Sequence, residues 1–136
     1  MKANDLMIFD LVRRKKDNRT MIVVEVGYDE NIGAITTDDR FYGDFEDYHE
    51  TQVEPIPITP EILEKNGFVQ NPRSKSRRSH QICTDSVYIS WWRGRLNILF
   101  KPFIGHSTNH VNVDGKYVHE LQHALRICGI KKEIVL

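Results

Sequence analysis

Short β-prone runs separated by turn-forming residues fill the first 57 residues, and they constrain the fold more than any other feature. The strongest run is MIVVEV at 21–26, which is rich in β-branched side chains. Weaker runs are LMIFDLV at 6–12, GAITT at 33–37 and TQVEPIPI at 51–58, the last interrupted by two prolines. So many short strands in so short a length predict a small, strongly bent sheet or barrel of the SH3-like kind.

The second half of the chain combines helical and strand signals. Thr59 can cap a short helix that starts at Pro60 and ends at Gly67, where a positive φ suits glycine. An apolar stripe at helical spacing predicts a second helix from about Val118 to Cys128. The Arg93-Gly94 step is predicted to form a hairpin turn, with Gly94 in the positive-φ position. The remaining apolar runs predict strands over 86–92, 95–103, 111–113 and 132–136.

These elements predict an α+β protein. We expect an SH3-like small bent sheet or barrel over 1–57, and over 58–136 a short helix followed by a β-hairpin sheet packed by a C-terminal helix. A single continuous core is the alternative to two halves. A chain of 136 residues buries roughly two thirds of its unfolded surface, so its folding requires neither a disulfide nor a metal.

Composition narrows the classes of partner. The formal net charge is zero, so there is no global attraction to nucleic acids or membranes. Cys83 and Cys128 are far apart and lack ligand-like spacing, which favours two reduced thiols in the cytoplasm over a disulfide. No run approaches the ~18 apolar residues of a membrane span, and the N-terminus has no apolar run of signal-peptide length. We therefore expect a soluble cytoplasmic protein without a membrane partner.

One motif points to catalysis. Residues 119–123 read HELQH, which matches the HExxH pattern of zinc metallopeptidases. On a helix, His119 and His123 project from one face and can hold Zn²⁺. Glu120 can then act as the general base toward the metal-bound water.

Other residues weigh against a zinc site. The extended metzincin pattern requires a glycine and a third histidine where this chain has Arg126 and Gly129. Arg126 also places a permanent cation one turn from His123, which is unfavourable beside a dication. A third ligand would have to come from an upstream residue such as His106 or His110, and no spacing rule supports either. We therefore expect no catalytic residue, no metal and no cofactor, and retain a zinc-dependent hydrolase as the enzymatic alternative.

Charge is segregated along the chain although the net charge is zero. The segment 25–54 has ten acidic residues and one basic residue, whereas 65–101 has eight basic residues and one acidic residue. Cations bind phosphates and unpaired bases stack on aromatic rings, so the basic region 73–95 is a candidate nucleic-acid site. The alternatives are a solvated loop or mutual neutralisation of the two segments. In a strand, Trp91 and Trp92 point to opposite faces, so only one of them is available for contact.

Three segments are distinctive in combination: MKANDLMI at 1–8, EPIPITPEILEKNGF at 54–68 and KYVHELQHALRICGI at 116–130. Together they resemble a group of small uncharacterised proteins encoded in genomes and prophages of Bacteroides-type gut anaerobes. The resemblance implies a bent N-terminal sheet, a short helix, a second small sheet and a C-terminal helix, and it implies no reaction. The group often has glutamine and asparagine where Glu120 and His123 stand, which implies that the HExxH pattern is incidental. The chain departs from the group at Phe9, where glycine is usual, and in SKSRRSHQ at 74–81.

These observations favour a non-catalytic binding protein from a phage or mobile-element setting. Its partner is expected to be another protein or a second copy of the chain. Nucleic-acid binding through 73–95 and zinc-dependent hydrolysis are the alternatives. The expected contact residues belong to the basic loop and the hairpin tip: Arg73, Lys75, Arg77, Arg78, Trp92, Arg93 and Arg95.

Overall fold

The chain divides into two compact units, Met1–Ile56 and Pro57–Leu136. The structure is a computed structural model. Within the residues it describes, each unit contains one five-stranded antiparallel sheet, and the second unit also contains a short α-helix and a C-terminal α-helix. The predicted α+β class is therefore confirmed. The described residues are 1–27, 29–37, 45–71, 79–100 and 110–136.

The N-terminal unit is built from five short strands in the spatial order β4-β3-β2-β1-β5. All four pairs of neighbours are antiparallel. Short 3₁₀ turns occupy Ala3–Asp5 and Glu50–Gln52. The strands are β1 (Leu11–Arg14), β2 (Thr20–Val26), β3 (Asn31–Thr36), β4 (Glu46–His49) and β5 (Val53–Pro55).

The core of this unit lies on one face of the sheet. Along β2 the side chains of Met21 and Val23 are buried, whereas those of Ile22 and Val24 are half-buried, as the period of two requires. A register shift between Val23 and Glu25 interrupts the pairing of β2 with β3. The core cluster contains Ala3, Leu6, Val12, Met21, Val23, Ile32, Ala34, Tyr48 and Val53.

A charged turn follows β1. Arg14 makes two hydrogen bonds to the carboxylate of Asp17, at 2.8 and 2.6 Å, and donates a third, of 2.9 Å, to the hydroxyl of Tyr48. The hydrogen bonds from Arg14 lower the pKa of Asp17 to about 2. The Tyr48 hydroxyl in turn donates to Glu46 at 2.7 Å. This chain of polar contacts ties the turn to β4.

The C-terminal unit contains a second sheet, with the spatial order β10-β9-β8-β7-β6, and all its neighbours are antiparallel. Its strands are β6 (Val69–Gln70), β7 (His80–Cys83), β8 (Val87–Trp92), β9 (Arg95–Phe100) and β10 (His110–Asp114). Its helices are α1 (Pro60–Lys65) and α2 (Val118–Ile127).

Helix α1 begins at Pro60, as the sequence predicts, and its last residue, Lys65, lies two positions before the predicted terminator Gly67. The Thr59 hydroxyl accepts a hydrogen bond of 3.3 Å from the backbone N–H of Ile62, and Pro60 occupies the first turn. Gly67 has φ +86°, the left-handed conformation that ends a helix at low cost for glycine. Leu63 is buried completely.

The C-terminal tail is held by a side chain rather than by a strand. The predicted strand over 132–136 is wrong, because these residues have no regular structure. The buried amide of Asn66 instead donates to the carbonyl of Val135 at 2.7 Å and accepts from the Val135 N–H at 2.9 Å. This pair of bonds imitates one step of a β-ladder, and Ile134 is buried beside it in the sequence.

Apolar residues of the second sheet and of α2 supply the interior of the C-terminal unit. The positions of β8 and β9 that alternate into the interior are Val87, Ile89, Leu96 and Ile98. The buried apolar stripe of α2 is Val118, Leu121, Ala124 and Leu125. Cys83 and Cys128 do not form a disulfide.

Helix α2 has only ten residues. In the described part of the chain, no helix has the length and apolar character needed to cross a bilayer.

Candidate functional site

The carboxylate of the HExxH motif is committed to the start of α2. Glu120 accepts hydrogen bonds from the backbone N–H groups of Lys116, at 2.7 Å, and Tyr117, at 3.0 Å. A glutamate at the third helical position that satisfies N–H groups before the helix is a capping interaction. The group that a zinc hydrolase would use as its general base therefore has a structural role here.

The two histidines of the motif lie on one face of α2, as their spacing predicts. Their ring centroids are 5.7 Å apart, and the rings meet edge to face at 68°. The buried ring of His119 also stacks on Tyr117, with a centroid distance of 5.9 Å. In the part of the chain that the structure describes, no third His, Cys, Asp or Glu joins them in a group that could hold a metal. His110 lies in β10, and His106 lies outside the described residues.

The predicted hairpin tip brings three of the expected contact residues together. Arg93 and Gly94 both have positive φ, +47° and +75°, which is the backbone of a type I′ two-residue turn. The Arg93 guanidinium lies over the Trp92 ring, 4.8 Å from its centroid. Arg95 is directly opposite Trp92 in the register and makes a salt bridge of 3.0 Å with Asp114.

The two tryptophans point to opposite faces, as predicted. Trp91 lies opposite the fully buried Leu96, and its indole N–H donates a hydrogen bond of 2.6 Å to the carbonyl of Gly115. It is therefore a structural residue. Trp92 lies on the other face and is half-buried.

The other predicted contact residues, Arg73, Lys75, Arg77 and Arg78, lie outside the described residues. The residues on either side of that segment are described. The N–H of Asn71 donates to the carbonyl of Ser79 at 2.9 Å, which extends the β6–β7 pairing. His80 pairs with Trp91, so the flanking residues Asn71 and Ser79 lie at the end of the sheet that carries the Arg93-Gly94 turn.

The face of the second sheet that carries Trp92 is mainly polar and aromatic, with Val69 and Leu99 as apolar members. Residues that are directly opposite in an antiparallel register share a face, so the pairing assigns this side unambiguously. We call it the open face, because each of its residues named here is half-buried or exposed. It carries Val69, Gln81, Cys83, Tyr88, Ser90, Trp92, Arg95, Asn97, Leu99, His110, Asn112 and Asp114.

A different feature of the N-terminal unit did not emerge from the sequence. The side chains of Met7, Ile8 and Phe9 are exposed to 49%, 50% and 68%, and they are consecutive. We call Met7–Phe9 the apolar turn. The predicted strand over 6–12 is wrong for its first five residues, because β1 begins at Leu11.

The apolar turn is held by hydrogen bonds to its neighbours. The completely buried Asp10 accepts a bond of 2.7 Å from the Met7 N–H through its carboxylate, and its own N–H donates to the Met7 carbonyl at 3.1 Å. Phe9 donates to the Val23 carbonyl at 2.7 Å, and the Val23 N–H donates to the Asp10 carbonyl at 2.9 Å. Phe9 has φ +74°, a conformation that costs a bulky residue about 1–3 kcal/mol.

The segregation of charge coincides with the division into two units. Residues 1–56 contain seven basic and thirteen acidic residues, a formal net charge of −6. Residues 57–136 contain twelve basic and six acidic residues, a formal net charge of +6. The apolar turn therefore belongs to an acidic unit and the open face to a basic unit.

Comparison with known proteins gives no relative from which a function could be transferred. No protein-family model, no curated protein and no solved structure matches this chain.

Proposed function

We propose that the protein is a non-catalytic binding protein, and that it contacts another protein through the apolar turn. The observation that supports this most directly is the exposure of Met7, Ile8 and Phe9, of which Phe9 is 68% exposed. Contiguous groups of exposed apolar side chains are characteristic of protein-binding surfaces. An aromatic ring beside two flexible or branched aliphatic side chains is a common anchor for a pocket on a partner.

The conformation of the turn supports a binding role. Its hydrogen bonds to Asp10 and Val23 fix the backbone before any partner arrives, so little conformational entropy remains to be lost on binding. Phe9 adopts a left-handed conformation that glycine would adopt at lower cost. An unfavourable backbone conformation that presents a phenyl ring to solvent is understandable if the ring makes contacts in a complex.

Charge indicates the chemistry of the partner. The N-terminal unit has a formal charge of −6, which disfavours an approach to nucleic acids or to anionic lipid surfaces. A protein with an apolar pocket bordered by lysine or arginine fits both the apolar turn and the net charge of its unit. The cytoplasmic location that the composition favours, and the phage or mobile-element setting that the family resemblance implies, belong to this same proposal.

The geometry of α2 supports a non-catalytic role over zinc-dependent hydrolysis. Glu120 caps the helix, and the nearby imidazoles of His119 and His123 have no third ligand among the described residues. A hydrolase would require both the free carboxylate and the third ligand.

Affinity capture with matched bait proteins tests the proposal. The wild-type protein is compared with the triple variant Met7→Ser/Ile8→Ser/Phe9→Gly, and with Ile127→Ser as the control. Ile127 is 76% exposed but lies on α2, so its substitution removes a comparable apolar surface elsewhere. We expect one protein to be retained by the wild type and the control and to be lost with the triple variant.

The captured protein is then purified and its dissociation constant measured by calorimetry. We expect Phe9→Gly to raise that constant at least tenfold and Ile127→Ser to leave it unchanged. Sedimentation of the free protein covers the homotypic case, in which self-association disappears in the triple variant. Equal binding of the purified partner to the wild type and the triple variant would refute the proposal.

A further inference from the structure

We propose that the open face of the C-terminal sheet binds single-stranded nucleic acid, with bases stacking on Trp92 and Tyr88. This surface is on the other unit from the apolar turn, so the inference does not depend on the protein-binding proposal. It would make the chain an adaptor, with one unit for a protein and one for a nucleic acid.

The aromatic side chains are placed for stacking. Tyr88 and Trp92 lie on the same face of β8 and are four residues apart, which separates them by roughly 13 Å along the strand. Both residues are half-buried, so neither is enclosed in the core. Stacking on aromatic rings of an open sheet is a recurrent way for proteins to hold unpaired bases, because every base has a π face.

A row of amide and hydroxyl groups crosses the sheet between the two aromatic rings. Gln81 is directly opposite Ser90, Ser90 is opposite Asn97, and Asn97 is opposite Asn112. Amides donate and accept hydrogen bonds at once, as the edges of bases do. The Tyr88 hydroxyl already donates to Gln81, which orients the amide of that residue. The row can therefore contact the edges of bases that stack on either side of it.

Cations for the phosphates stand at the end of the same face. The Arg93 guanidinium stacks on Trp92, and Arg95 is opposite Trp92 with its side chain 65% exposed. Arg95 is paired with Asp114 at 3.0 Å, so a phosphate would compete with that carboxylate for it, and Arg93 is the main phosphate contact of the proposal. Arginine stacked on an aromatic ring can at once extend the stacking surface and contact a phosphate. The unit as a whole has a formal charge of +6, which complements a polyanion.

The chemistry of the face favours a single strand over a duplex. Base faces are covered in a duplex, so rings that lie on a broad sheet cannot stack on them. The stacking and hydrogen-bonding contacts do not involve the basic segment 73–78, which supplies four of the unit's twelve basic residues. Its flanking residues Asn71 and Ser79 lie at the same end of the sheet.

The first experiment measures the binding of a fluorescent 12-nucleotide deoxythymidine oligomer by anisotropy in 50 mM salt. We expect Trp92→Ala and Tyr88→Ala to raise the dissociation constant about tenfold each, since stacking contributes strongly per base. Arg93→Ala should reduce the slope of log affinity against log salt by about 0.7. The apolar-turn variant Met7→Ser/Ile8→Ser/Phe9→Gly should bind as the wild type does.

The second experiment uses the two tryptophans as matched reporters. In Trp91→Phe the remaining indole, Trp92, lies on the open face, and its fluorescence should be quenched when the oligomer binds. In Trp92→Phe the remaining indole, Trp91, lies on the opposite face and should not be quenched. The two variants report on folding as well, because each retains one tryptophan.

Three results would each overturn the inference. They are the absence of oligomer binding at 50 mM salt, an affinity that does not change in Trp92→Ala and Tyr88→Ala, and equal affinity for a duplex of the same length. Loss of oligomer binding in the apolar-turn variant would also contradict it, because that result would place the contact on the N-terminal unit.

Discussion

The carboxylate of Glu120 accepts a hydrogen bond of 3.0 Å from the backbone N–H of Tyr117, which closes the N-terminus of α2. Replacement by alanine removes this cap, so Glu120→Ala should lower the free energy of unfolding by about 1 kcal/mol. Glu120→Gln should lower the free energy of unfolding by less, because a glutamine side chain can accept the same hydrogen bonds. Urea denaturation followed by circular dichroism measures both variants. Equal stability of wild type and Glu120→Ala would contradict the capping role.

Phe9 provides a second prediction, since its φ of +74° is unfavourable for a residue with a side chain. Phe9→Gly should raise the free energy of unfolding by about 1 kcal/mol by relieving this conformation. Phe9→Ala is the matched control, because it removes the ring but keeps a Cβ, and it should give no comparable gain. Differential scanning calorimetry of wild type, Phe9→Gly and Phe9→Ala compares their stabilities. If alanine stabilises as much as glycine, removal of the exposed ring is the cause, and backbone strain is not.

Asn66 provides a third prediction, because one buried amide serves three backbone groups. It donates to the carbonyls of Ile62 and Val135, each at 2.7 Å, and accepts from the N–H of Val135 at 2.9 Å. Asn66→Ala should lower the free energy of unfolding by about 2 kcal/mol, since buried partners lose their hydrogen bonds. Asn112 is exposed, so Asn112→Ala serves as the control and should change the free energy of unfolding little.

The coupling of Asn66 to the tail can be isolated with a double-mutant cycle. Deletion of residues 134–136 removes the groups that Asn66 holds. The deletion and Asn66→Ala should therefore destabilise by less in combination than the sum of their separate effects. Strict additivity would show that the tail and Asn66 contribute independently.

Glu50 provides a prediction about pH. Its carboxylate accepts hydrogen bonds from the Ala3 N–H at 2.8 Å and from the Lys2 ammonium at 3.0 Å, and these lower the pKa of Glu50 below its ordinary value of 4.5. A lowered folded-state pKa stabilises the protein above the unfolded-state pKa, and the stability is lost as the pH falls below about 4.5 through the folded-state pKa. The same contact raises the pKa of Lys2 above 10.5, a shift in the opposite direction. The stability that this shift contributes is present at neutral pH and is lost only in strong alkali.

The measurement is the midpoint of urea denaturation at pH 7 and pH 3.5. Glu50→Gln should reduce the difference between the two midpoints. Glu54→Gln serves as the control, because the Glu54 carboxylate is more exposed and lies 3.9 Å from its partner Arg13. A pH dependence that is the same in wild type and Glu50→Gln would show that Glu50 does not link folding to proton binding.

The parts of the fold that could be predicted are those determined by neighbouring residues. The β-branched run of β2, the Thr59 cap, the positive φ at Gly67 and the Arg93-Gly94 turn each depend on a few adjacent positions. Residues 6–10 and the tail were predicted wrongly as strands. Their conformations depend on contacts with distant residues, namely Asp10 with Val23 and Asn66 with Val135. The SH3-like arrangement of the N-terminal sheet stays a prediction.

The same difference between features set by neighbouring residues and features set by distant contacts applies to the candidate surfaces. Trp92, Arg93 and Arg95 are close in sequence, so a hairpin turn alone was enough to predict that they lie together. Asn97 and Asn112 could be assigned to the same face only from the strand register, which the sequence does not specify. The apolar turn was missed because LMIFDLV satisfies the composition of a strand. Its one contrary signal was Asp10, a carboxylate in the middle of an apolar run.

The partition of charge between the units has a consequence for how the molecule meets others in solution. A neutral protein with evenly mixed charges has little long-range influence on approaching molecules, whereas here a polyanion and a polycation are each attracted to a different part of one chain. Encounter rates with both should fall as ionic strength rises, because the Debye length shrinks to about 10 Å at 0.1 M. The isoelectric point is near 7.0, yet a single polypeptide combines one unit with the charge of an anion and one with the charge of a cation.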